Sequence, residues 1–156
     1  MPTQVRVFDN VAEVTVSVDT AAHAANDVVC QPVELADISR ERGCAVITSV
    51  VVTDYDDQGI ALDVLFLRSN IAVGGNNNTM VISDNDIDEV LGYVSVSSYL
   101  DLDTNQIGEA RNVGLVVEPS PNNDEDGRSI WMALRTTGTP TYAGGQLTVK
   151  VGVLRG

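Results

Sequence analysis

Histidine occurs once in the 156-residue chain, at His23, lysine once, at Lys150, and cysteine twice, at Cys30 and Cys44. A Ser-His-Asp or Cys-His nucleophilic site would therefore have to use His23. That residue sits in Thr20-Ala21-Ala22-His23-Ala24-Ala25-Asn26, a run of small residues that reads as a loop or connecting arm, so a packed, incidental histidine is the expectation. Neither cysteine has a His or Cys companion at ligand spacing, so no zinc site is indicated. Each stands at the edge of an apolar run, where a buried thiol behaves as a small apolar side chain. A Cys30–Cys44 disulfide is open on spacing, but without a secretion signal reduced thiols are expected. Glycine-rich phosphate motifs are missing too: Gly74-Gly75 and Gly144-Gly145 precede strand-like residues and read as hairpin turns. Cations are scarce, 9 against 22 acids, for a net charge of −13 and a pI near 4.1. Such a surface repels phosphate backbones and anionic membranes, so nucleic acid and membrane are not expected partners. Apolar runs stay far short of the roughly 20 residues that span a bilayer. The opening Met1-Pro2-Thr3-Gln4 lacks the basic-then-apolar layout of a signal peptide, so synthesis in a cytoplasm is expected.

What is abundant is acid. Asp101-Leu102-Asp103-Thr104-Asn105 has the Asp-x-Asp-x-Asn spacing of a calcium loop, but Gln106 stands where the loop needs Gly and Asn112 where it needs Glu. An EF-hand is rejected. A looser calcium site there, or at Asp54, Asp56 and Asp57, is weaker than the reading as solvated acidic turns. Nothing singles out a carboxylate pair for glycoside hydrolysis, and one Trp and four Tyr leave little to stack sugars. The expectation is a chain with no catalytic, cofactor-binding or metal-binding residues, and not an enzyme.

Also abundant are β-branched residues in period two. Val5 and Val7, then Val14, Val16 and Val18, alternate with polar neighbours and predict two strands joined at Phe8-Asp9-Asn10. A short strand from Asp27 to Leu35 carries Pro32, which places it at an edge or bulge. Residues 36–43 read as a loop with one helical turn. The long strand Cys44 to Thr53, the acidic turn Asp54 to Gly59 and the nearly continuous apolar strand Ile60 to Leu67 predict a hairpin-like pair, its second member central. Ser83 to Gly92 predicts the one short helix: Ser83 or Asp84 caps it, acids fill its first turn and Gly92 ends it. Tyr93 to Leu100, Val113 to Val117, Ile130 to Leu134 and Gln146 to Leu154 add four strands, with exposed loops at Pro119 to Gly127 and Gly138 to Gly145.

Strands without intervening long helices disfavour a parallel sheet. The fold class is all-β, an antiparallel β-sandwich or jelly roll with one short helix. The expected core contains Val46, Val50, Leu62, Val64, Phe66, Trp131, Leu134, Val149 and Val151. Residues 1–25 form N-terminal strands and a possible arm, hinged at Thr20 to Asn26, and residues 26–156 form the sandwich domain.

Several segments taken together carry a resemblance. They are Asn26-Asp27-Val28-Val29, Ile47 to Asp54, Leu62-Asp63-Val64-Leu65-Phe66, Ser83-Asp84-Asn85-Asp86, Leu91-Gly92-Tyr93-Val94 and Gly138-Thr139-Pro140-Thr141-Tyr142. In this order they resemble small virion structural proteins of tailed bacteriophages, over residues 26 to 154. The resemblance implies a capsid decoration (cement) or head-fibre-type protein, a homotrimer bound to the major capsid protein on the outside of the shell. It carries no site residues. The alternative is a carbohydrate- or receptor-binding β module of a virion.

Overall fold

The computed structural model describes residues 4–8, 10–122 and 127–156, with side chains from residue 10 onward. Asp9 of the first predicted turn, and the acidic tip at 123–126, lie outside them. The ten strands are β1 (Gln4–Phe8), β2 (Val11–Ser17), β3 (Val28–Leu35), β4 (Ala45–Asp54), β5 (Leu62–Leu67), β6 (Val90–Val96), β7 (Tyr99–Asp101), β8 (Gln106–Val117), β9 (Ile130–Thr136) and β10 (Gln146–Arg155). They form a six-stranded sheet, ordered β1-β2-β10-β4-β8-β7, and a four-stranded sheet, ordered β3-β9-β5-β6.

The pairing is nested. β2 pairs with β10, β3 with β9, β4 with β8 and β5 with β6, all antiparallel. This is one long hairpin, closed at β5–β6 and rolled so that β10 also meets β4 and β9 also meets β5. A hairpin of eight strands rolled into two sheets is a jelly roll. The inner faces interdigitate through Val14, Val16, Ile47, Val50, Val52, Leu62, Val64, Phe66, Met132, Leu134, Val149 and Val151, all at most 1 % exposed.

Several expectations change at this level. The β4–β5 pair is not a hairpin: the acidic turn crosses the end of the sandwich and delivers the two strands to opposite sheets. β5 is nevertheless an inner strand, between β9 and β6, as its nearly continuous apolar character leads one to expect. Val46 is not in the core. Opposite β10 the register jumps from Gly152↔Ser49 to Val153↔Ile47, leaving Thr48 as an extra residue, and this bulge reverses which β4 residues face inward, to Ala45 and Ile47. Gly152 makes room for it, since a Cβ there would lie 2.9 Å from Thr48 Oγ1. Trp131 belongs to a second apolar cluster outside the four-stranded sheet.

The short helix over Ser83 to Gly92 reduces to a single 3-10 turn, Ile87–Glu89. The Glu89 carbonyl, which would continue a helix, instead accepts the Arg68 N–H at 2.7 Å, and Val90 to Gly92 enter β6 opposite Leu67 and Phe66. Tertiary pairing outweighs local capping signals here. Pro32 sits as expected, on the edge strand β3, where Gln31 and Pro32 together oppose Ala133 alone. Gly144-Gly145 is not a hairpin turn either, because it lies on the crossing from β9 to β10, in different sheets. β2, set at the sequence level within the possible arm, is an inner strand that buries Ala12, Val14 and Val16. The arm reading narrows to β1, the outermost strand.

Candidate interaction surfaces

The residues singled out by chemistry do not converge. His23 is packed at one end of the sandwich, 3 % exposed, its ring edge-on to Tyr142 at 5.9 Å between centroids. Among the described residues, neither ring nitrogen has a hydrogen-bond partner. Burial pushes the Tyr142 phenol well above its usual range, with smaller contributions from Tyr99, Asp54 and Asp56. Cys30 is buried and free, and burial raises its thiol to about 12. Cys44 is also free but exposed, against the expectation of burial, because it lies just before β4, whose first residue, Ala45, takes the inward position.

The acidic loops serve their own backbone. Asp54, 2 % exposed, accepts the N–H groups of Asp56, Gln58 and Gly59 at 2.9, 2.8 and 3.0 Å, holding the turn that changes sheets. Asp56 Oδ1 accepts from Gly144 N at 2.7 Å, and Gln58 Oε1 from Thr141 N at 2.9 Å, which stitches this turn to the loop before β10. Asp101 Oδ1 accepts from Asp103 N at 2.8 Å and shapes the β7–β8 hairpin, where Asp103 takes a positive φ of 78°. Among the described residues no group of three or more His, Cys, Asp or Glu could hold a metal ion.

The two outer faces differ in kind. Across the six-stranded sheet, Thr15, Thr148, Thr53, Ile107 and Leu100 stand in register, then Glu13, Lys150, Val51 and Glu109. Thr15 and Thr148 share a hydroxyl hydrogen bond of 3.1 Å, and Lys150 pairs with Glu13 at 3.7 Å. Among the described residues, exposed aliphatics on this face sit toward its ends, at Leu100 and Ile107 and at Leu154 and Val116, which flank half-buried Val46.

Across the four-stranded sheet the outward rows are Ser95–Asp63–Arg135, Tyr93–Leu65–Ala133 and Val90–Leu67–Trp131. The long β5–β6 connection folds back over part of this face. Its Ile71 and Val73, with Val28, Leu67 and Ala133, form a second buried cluster, edged by Leu65, Met80, Ile82, Val90 and Trp131. The half nearer β6 stays open. There Asp63, 4 % exposed, accepts Ser95 Oγ at 2.5 Å on one oxygen, and Arg135 Nε and an Arg135 terminal nitrogen at 3.1 and 2.5 Å on the other. The carboxylate thus fixes the guanidinium plane. Leu65, Val90 and Tyr93 complete a shallow groove with this pair, and Tyr93 is 65 % exposed. Sequence reasoning missed this face, since its outward residues read as one side of ordinary core strands.

No protein-family model matches the chain, and no curated protein matches it. Among solved structures it is similar to one of Desmodium yellow mottle tymovirus, at 8 % identity and a TM-score of 0.29, covering 98 % of this chain and 80 % of that one. That degree of likeness decides nothing about role, and the fold assignment rests on the strand pairing.

Proposed function

We propose that the chain is a virion structural protein, a capsid decoration protein that binds the outside of a bacteriophage shell and stabilises it. The observation that carries the reading is the combination of a jelly roll filled by its own side chains with apolar and aromatic residues placed on an outer sheet face. Its link to a capsid is fold-level analogy, since jelly rolls also serve lectins and cupins. The residues favour contact over chemistry: the single His is enclosed against Tyr142, and the buried acid Asp54 is committed to its own turn. The role we propose is structural, without catalysis. Bound copies stabilise the shell by mass action, and a homotrimer engages neighbouring capsomers at high effective concentration. The net charge of −13 keeps the protein off packaged DNA.

The test is co-sedimentation of the purified chain with shells assembled from the major capsid protein of the phage from which the chain would come on this reading, followed by thermal disruption of bare and decorated shells. Saturable binding that raises the disruption temperature is expected. Absence of binding defeats the proposal. The competing reading, a carbohydrate- or receptor-binding module, is favoured by one feature, the exposed Tyr93 ring beside the oriented Arg135. Saturable binding to immobilised glycans without binding to shells would select it.

A further inference from the structure

Building on the decoration reading, we infer that the open half of the four-stranded sheet's outer face is the surface that meets the shell, and that it takes a protein partner offering an apolar socket within a basic rim. The residue types set this face apart. Tyr93 and Arg135 line its open groove and Trp131 and Met80 edge the covered half beside it, kinds enriched at protein interfaces. Among the described residues the exposed apolar strand residues of the opposite face are instead Leu, Ile and Val, of which Leu and Val are under-represented among binding hot spots, and its exposed Tyr55 is tied by its hydroxyl to Thr148 at 3.3 Å. Its centre is pre-organised. Asp63 and Ser95 hold Arg135, and Leu65 stands in register beside Tyr93, so little side-chain freedom is lost on docking.

Charge identifies the partner. The segment that runs directly into groove-lining Val90 carries Asp84, Asp86, Asp88 and Glu89 beside Ile87, which is 52 % exposed, while Arg135 is already paired with Asp63. The chain entering this end of the groove is therefore acidic. A second copy, with 22 acids against 9 cations, would bring like charge against this acidic end, which is costly there, so the proposed homotrimer joins through another surface. A basic partner surface satisfies this end and speeds encounter.

The experiment is quantitative co-sedimentation of the full chain with those same shells at low and high salt. Variants are Tyr93→Ser, the charge reversal Asp84→Lys with Asp88→Lys, and Val116→Asp with Leu154→Asp on the opposite face. Circular dichroism and melting confirm that each is folded. The inference expects at least a tenfold weaker Kd for Tyr93→Ser, a weaker and less salt-dependent Kd for the charge reversal, and wild-type binding for the opposite-face variant. It is overturned if Tyr93→Ser binds like wild type, or if the opposite-face variant is the one that loses binding. Light scattering adds a further arm: a wild-type oligomer that Tyr93→Ser dissociates gives the face to a second copy and overturns it. Glycan binding abolished by Tyr93→Ser gives it to a saccharide, with the same result. Failure of the wild-type chain to bind shells at all defeats the decoration reading itself, and this inference with it, whereas wild-type binding with an indifferent Tyr93 defeats the inference alone.

Discussion

Replacing Asp54 tests how the chain passes from one sheet to the other. Its carboxylate, 2 % exposed at the end of β4, accepts three backbone N–H groups within a turn where Asp57 and Gly59 have positive φ. Asp54→Ala removes both acceptor oxygens and so breaks all three hydrogen bonds at once. A buried donor left unpaired costs about 1–3 kcal/mol, but the turn residues are only half-buried, so water recovers part of the loss. A net destabilisation of about 2–4 kcal/mol is expected. Asp54→Asn keeps the shape and one acceptor oxygen, and should lose about half as much. For a chain of this size that corresponds to a Tm lower by about 5–15 °C for the alanine variant. Urea denaturation followed by circular dichroism is the assay, with a shifted midpoint and an unchanged slope showing that stability alone changed. The loop before β10 should loosen together with this turn, because Asp56 and Gln58 carry the hydrogen bonds to Gly144 and Thr141, and faster amide exchange at those two positions would report it. A loss below about 0.5 kcal/mol for Asp54→Ala, or equal losses for Ala and Asn, would refute the account.

Truncation after residue 9 removes only the outermost strand and should leave a cooperative melt, whereas removal of residues 1–25 takes away β2 with Ala12, Val14 and Val16 and should abolish folding; a folded product from the longer deletion would mean β2 is dispensable. Native protein should react with Ellman's reagent at one thiol per chain, exposed Cys44, and denatured protein at two. Burial raises the Cys30 thiol from 9.0 to about 12, so between those values the unfolded chain releases a proton that the folded chain keeps. This contribution to stability is complete below pH 9.0 and is lost as pH rises toward 12, so a Cys30→Ala chain should show a shallower alkaline decline in urea midpoint. His23→Phe keeps the edge contact with Tyr142 and removes two buried nitrogens that lack partners, so it should raise stability by about 1 kcal/mol. A clear loss in that variant would show that the imidazole is satisfied by water.

Alternation is a local property, and the sequence alone determined what depends on it. β-branched residues in period two specify strands with one inner side. The nearly continuous apolar run of β5, broken only by Asp63, specifies an inner strand, and Pro32 specifies an edge or bulge. The acidic balance, with one histidine and one lysine, determined the charge of the surface before any fold was known. Period two does not say which sheet a strand joins, so the crossing between β4 and β5 was invisible until the nested pairing of the rolled hairpin was seen. Nor does it mark an inserted residue. The bulge at Thr48 turns Val46 outward because Gly152 leaves space beneath it, a relation between strands distant in sequence. Ser83 to Gly92 carries sound helix signals, yet the Arg68 N–H captures the Glu89 carbonyl and β5 captures the residues that follow. The outer face around Tyr93 arises the same way. Its residues come from β5, β6 and β9, and only sheet pairing, with the β5–β6 connection covering one half, decides which side chains bury one another and which remain open.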